Sequence, residues 1–165
     1  MPWNRACQSR PAKQQENAMS SATLSKEAEI VFEKGKPAYA PASNPVYVKG
    51  RRDFFKYRDL GATTASGGAV RAQVTIGTQG LTRPTGWHYH ICEGQFIYMV
   101  KGWVELEFED GRTIVVGEGD SMYIPGNTKH NETRAADNLE ILEISIPADM
   151  GTKTCDVPEG FPAKV

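Results

Sequence analysis

At 165 residues the chain has the length of one domain, and 19 Lys plus Arg against 20 Asp plus Glu leave a formal net charge of −1. That balance argues against nucleic acid as the partner, because phosphate recognition needs a basic face, and no run of about 18 apolar residues is present to span a membrane. With 39% hydrophobic and 24% charged residues, the composition is that of a soluble domain able to bury one core. The cysteines Cys7, Cys92 and Cys155 form no CxxC pair and read as reduced thiols, which points to a cytoplasmic location.

In chain order, residues 1–25 are rich in Gln, Ser, Asn and Ala and lack hydrophobic periodicity, so they read as a disordered N-terminal arm. A second methionine, Met19, precedes the ordinary sequence, and residues 1–18 read as an extension or a mis-called start. From about residue 27 the pattern turns to short β-rich runs: AEIVF, PVYVKG, FFKYRDL, AVRAQVTI, GWHYHI, QFIYMVKG, WVELEFEDG, RTIVVGEGD, SMYIPG and LEILEISIP. Gly, Pro, Asp or Asn separates them, as in an antiparallel sandwich or barrel. The clearest hairpin is WVELEFEDGRTIVV, where Val104, Leu106 and Phe108 alternate with Glu105 and Glu107 before an Asp110-Gly111 turn. No amphipathic helix of three turns is visible, although residues 26–33 fit either one or two helical turns or an edge strand. The division expected is a disordered extension over 1–25, one β-barrel domain over 26–149, and a tail over 150–165 that lies across the barrel.

The chain has three histidines, His88, His90 and His130. His88 and His90 stand two apart in a strand pattern, so both imidazoles point to one face and can reach one point in space. His130 follows a strand–turn signal, and imidazole is the commonest metal ligand near neutral pH. Two readings follow: a metal site, or two surface strand histidines and one turn histidine.

The surrounding residues resemble the two signature motifs of the cupin superfamily. HYHICEGQFIYMVKG, from His88 to Gly102, is similar to the first motif, with Gln95 where the family usually has Glu. Its leading Gly is displaced: Thr82 stands at that position, flanked by Gly80 and Gly86. GDSMYIPGNTKH, from Gly119 to His130, is similar to the second motif, with Asn127 at a usual Gly and Arg134 at a usual Asn. The resemblance implies an all-β fold, a double-stranded β-helix or jelly-roll barrel. It also implies one divalent transition metal (Fe, Mn, Zn or Ni) held by His88, His90, Gln95 and His130, and a homodimer. HxH, then Gln, then PGNxxH is also similar to the cupins that linearise unsaturated monouronates, metal-dependent ring-opening or isomerising enzymes on a sugar acid.

Gln95 has a charge consequence. Three neutral imidazoles and a neutral amide leave the +2 of the ion uncompensated, which favours an anionic small-molecule ligand such as a carboxylate. Glu93, in the turn before Gln95, is the competing reading, either as a replacement ligand or as a nearby base.

Other candidates have a functional and a plain reading. Arg71 and Gln73 lie on the polar face of AVRAQVTI, where they either hold a substrate carboxylate or face solvent. Tyr123 is a candidate donor to a ligand or a barrel-rim aromatic. Glu143 shares the parity of Leu139 and Ile141, which makes it either an inward general base or an exposed strand residue. The leading functional expectation is an enzyme that uses its metal as a Lewis acid in isomerase, lyase or ring-opening chemistry. The alternatives are a non-haem Fe(II) dioxygenase and a metal- or ligand-binding module without turnover.

Overall fold

Eleven strands and one four-residue helix make up the regular structure of the described residues, 29–49, 52, 54–81 and 83–161 of a computed structural model. The elements are β1 (Val46–Val48), β2 (Phe55–Asp59), α1 (Ala62–Ala65), β3 (Arg71–Gly77), β4 (His88–Ile91), β5 (Gly94–Lys101), β6 (Trp103–Phe108), β7 (Thr113–Gly117), β8 (Ser121–Pro125), β9 (His130–Ala135), β10 (Glu140–Ile146) and β11 (Gly151–Thr154). The arm expected over residues 1–25 lies outside the described residues.

All the strand pairs are antiparallel, and they form two sheets. One has the order β1-β2-β3-β10-β5-β8 and the other β11-β4-β9-β6-β7. This is the jelly-roll architecture expected, with neighbours in each sheet that are distant in sequence. The β6–β7 hairpin forms as its alternation predicts, with Gly111 at φ 88° and the Arg112 Nε donating to Asp110 at 2.7 Å. The AEIVF run does not form a strand over its described residues. β1 already occupies that edge of the larger sheet, so Val31 stays 72% exposed while Phe32 lies against Gly61. Two strands carry no apolar alternation: HNETRA forms β9, and GTKT, inside the expected tail, forms β11.

Register explains how the interior is divided. Across β3, β10 and β5 the inward rungs are Arg71–Ser145–Gln95, then Gln73–Glu143–Ile97, then Thr75–Ile141–Met99. Polarity falls along this series. At its apolar end Ile97, Met99, Ile141 and Leu139 join Val104, Leu106 and Phe108 of β6, Val116 of β7 and Ile124 of β8 in one buried cluster. Burial of such side chains contributes roughly 1.5–3 kcal/mol each, which makes this end the main source of stability. The other end holds the polar groups.

Candidate metal centre

β4 places His88 and His90 on one face with a single residue between them, as strand parity requires. His130 opens β9 directly opposite, in register with His88. Two turns hold this arrangement. The β8–β9 turn packs against the β4–β5 turn, with the Asn127 N–H donating to the His90 carbonyl at 2.8 Å and the Gly126 N–H to the Glu93 carbonyl at 3.1 Å. A Cβ at Gly126 would fall 1.7 Å from the Cys92 carbonyl oxygen, so only glycine permits that approach. Asn127 adopts φ 64°, a left-handed conformation that asparagine tolerates better than most residues.

All three imidazoles are buried, and each Nδ1 is already hydrogen-bonded. His88 Nδ1 donates to the Gly86 carbonyl at 2.8 Å, and His130 Nδ1 donates to the Thr128 carbonyl at 2.9 Å. His90 Nδ1 pairs with the Thr152 hydroxyl of β11 at 2.8 Å. A carbonyl can only accept, so Nδ1 of His88 and of His130 carries a proton, and in the neutral ring the lone pair is left on Nε2. Such orienting bonds are the usual support of a metal-binding histidine. One potential ligand atom from each ring lies within 4.8 Å of those from the other two. The ring centroids are 4.4 to 5.1 Å apart. Burial pushes His130 below the ordinary histidine pKa against the opposing pull of Glu132, which favours the neutral ring that can bind a cation. The donor set fits one divalent transition ion.

A cavity of about 480 Å³ opens over His88 and His90, with His130 buried beside them. Gln95 lines it from β5 and is 7% exposed. Arg71, Gln73, Thr75 and Glu143 line the β3–β10 wall, and Lys49 and Arg52 lie along the same cavity. Glu143 Oε2 accepts from Gln73 Nε2 at 2.6 Å and from the Thr75 hydroxyl at 2.9 Å. Burial raises the Glu143 pKa against the pull of these two donors and of Arg71. Arg71 Nε is buried with no hydrogen-bond partner among the described residues, as is Ser145 Oγ on the same rung.

The structure thus brings together His88, His90, Gln95, Arg71, Gln73 and Glu143 around one cavity, with His130 converging on the two other histidines from beside it. Glu93 and Tyr123 lie elsewhere. Glu93 is exposed in the β4–β5 turn, and Tyr123 is 58% exposed, its hydroxyl donating to the Glu93 carbonyl at 3.3 Å.

One carboxylate at the site escaped sequence reasoning. Glu132 on β9 faces the cavity with Oε2 3.8 Å from His88 Nε2 and Oε1 4.0 Å from His130 Nε2. Burial works to raise its pKa, but the positive charge that His88 and His130 carry when protonated, together with the Thr85 hydroxyl, holds it below the ordinary carboxylate value. The signal was available: His130 and Glu132 are two apart, the same spacing as His88 and His90.

The cupin domain family matches residues 74–145. Among curated proteins, the 3-hydroxyanthranilate 3,4-dioxygenase of Neurospora crassa is 42% identical over 66 residues, 37% of each chain. That of Scheffersomyces stipitis is 41% identical over 58 residues, 33% of this chain and 34% of the relative. The matches therefore span about a third of those relatives. Among solved structures, KdgF from Halomonas sp. superposes with a TM-score of 0.54 at 16% identity, over 67% of this chain and 94% of that one. The polyketide cyclase RemF from Streptomyces resistomycificus superposes with a TM-score of 0.52 at 21% identity, over 81% and 82%. At these identities the structural likeness is one of fold.

Proposed function

Starting from its place in the cupin superfamily, to which the chain belongs, we propose that this protein is a metal-dependent enzyme acting on a small carboxylate-bearing substrate by isomerisation, ring opening or elimination. The observation that carries this reading is a buried carboxyl, Glu143, whose pKa burial raises, in the same cavity as His88 and His90, which converge with His130. One divalent ion, Fe, Mn, Zn or Ni, would be held by His88, His90 and His130 with Gln95 beside them, and would supply a Lewis acid that polarises a substrate oxygen.

The remaining steps belong to the side chains. Arg71, with an unpartnered Nε, offers a fork to the substrate carboxylate, while Lys49 and Arg52 draw anions toward the cavity. Glu143 holds or takes a proton, and Gln73 and Thr75 fix the orientation of its Oε2. Elemental analysis of wild type and His88→Ala is the first test. About one equivalent of transition metal, lost in the variant, is expected, followed by turnover of a sugar acid that Glu143→Gln abolishes while leaving metal content intact. A wild-type protein that takes up no metal on reconstitution would sink the reading.

The curated relatives favour a second reading, a non-haem iron dioxygenase, whose substrate by their printed name is itself a carboxylate. Three histidines leave positions for a chelating substrate and O₂. Oxygen uptake by the iron-loaded protein with 3-hydroxyanthranilate would select this reading. Turnover with zinc or nickel and no O₂ consumption would select the first.

A further inference from the structure

We propose that Glu132 is itself a ligand of the ion held by His88, His90 and His130, and supplies from β9 the negative charge that Gln95 cannot supply from β5. This rests on reading the three histidines as a metal centre. Its first support is position. His130 and Glu132 register with Phe108 and Leu106 of β6, both buried inside the barrel, so the two side chains face the interior together. Its carboxylate oxygens lie 3.8 Å from His88 Nε2 and 4.0 Å from His130 Nε2, beside the set of ligand atoms that the three histidines bring within 4.8 Å of one another.

The second support is how the carboxylate is held. Thr85 makes three bonds to Glu132: its hydroxyl donates to Oε2, its N–H donates to the Glu132 carbonyl at 2.9 Å, and its Oγ1 accepts from the Glu132 N–H at 3.1 Å. With the Glu132 N–H held on the Thr85 oxygen, the hydroxyl proton is directed onto the carboxylate, which accepts it. Arg52 Nη2 donates to the Thr85 carbonyl at 3.0 Å and anchors the clamp from the other side. The third support is charge. Three neutral imidazoles and an amide leave +2 in a buried site, and one carboxylate lowers it to +1, which favours retention of the ion.

The test is titration of the full chain with Co²⁺, read by its visible absorption bands and by chelator competition, for wild type, Glu132→Gln, Gln95→Glu, the Glu132→Gln/Gln95→Glu double variant and Thr85→Val. Circular dichroism checks folding of each. Glu132→Gln keeps an oxygen for Thr85 to donate to, and it should weaken Co²⁺ binding about a hundredfold or more, the upper end of what losing a merely supporting group costs. Its bands should change, and the double variant should recover most of the affinity. Thr85→Val, which keeps the carboxylate, should stay well above Glu132→Gln in affinity. Wild-type affinity and bands in Glu132→Gln would overturn the proposal. So would a loss that the carboxylate at position 95 does not restore, or one that Thr85→Val matches, since either assigns Glu132 to holding Thr85. A wild-type protein that binds no Co²⁺ would remove the metal reading itself, a result distinguishable from all of these.

Discussion

On β5 the inward side chains run from Gln95 to Ile97 and Met99, and on β10 from Ser145 through Glu143 to Ile141, so the strands that line the cavity also build the apolar core. At one end Met99 and Leu139 are sealed off by close-packed neighbours. At the other, almost every polar group is tied to a specific partner: Gln73 to Glu143, Thr85 to Glu132, and each histidine Nδ1 to an oxygen. A sheet register that alternates in and out lets three residues along one strand pass from site to core. The division of labour is therefore made within strands, and neither strand is devoted to one task. The apolar end supplies stability by packing, and the polar end uses some of it to hold groups that would be better solvated outside.

The largest effect should come from Met99→Ala, which removes a fully buried side chain and should cost roughly 2–5 kcal/mol in urea unfolding. Metal stoichiometry should not change, and a lost metal site in this variant would show that the two ends are coupled. Next, a chelator added to the metal-loaded protein should lower unfolding stability by about 2.7 kcal/mol when free metal had stood at 100 times its Kd. His88→Ala should be insensitive to the same treatment, and an equal response in both would remove His88 from the site.

Glu143 should give a smaller, pH-dependent effect. Burial raises its folded pKa above the ordinary 4.5, so the folded state binds this proton more tightly than the unfolded chain does. The associated stability is fully present below 4.5 and is lost as pH rises through the raised value. Glu143→Gln should flatten that fall, and unfolding profiles of the two proteins that run parallel above pH 4.5 would contradict it. The smallest effect should be Asn127→Gly, where φ 64° already suits glycine, with a change of a few tenths of a kcal/mol. A loss of metal affinity in that variant would give the Asn127 side chain a role that its backbone geometry does not require.

Strands with an apolar face were legible in the sequence. The β6–β7 hairpin declares itself because Val104, Leu106 and Phe108 meet the core while Glu105 and Glu107 do not. β9 did not declare itself, because its inward face is spent on His130 and Glu132, and a strand that lines a polar site has no apolar period to detect. β11 was hidden for a similar reason, being short and polar, yet its Thr152 orients His90. The histidines were visible because two share a face at spacing two and the third follows a Pro-Gly-Asn turn. Glu132 sat at the same spacing from His130, but in a segment that did not read as a strand, so parity was never applied to it. AEIVF failed in the opposite sense, since apolar residues alone do not make a strand, and its described residues pair with none.

The connection between β4 and β9 carries one more consequence. The small sheet is joined there by a single register pair, His88 with His130, and by the bonds of Thr85 and Gly86 just before it. Beyond that seam hangs a two-stranded flap, β4 with β11. The histidines stand on both sides of the seam, two on the flap and one on the wall, so an ion bound by all three works as a rivet through the barrel wall. Loading the site should then stiffen the wall, and slowed amide exchange in His88–Ile91 and Gly151–Thr154 on metal addition would register it.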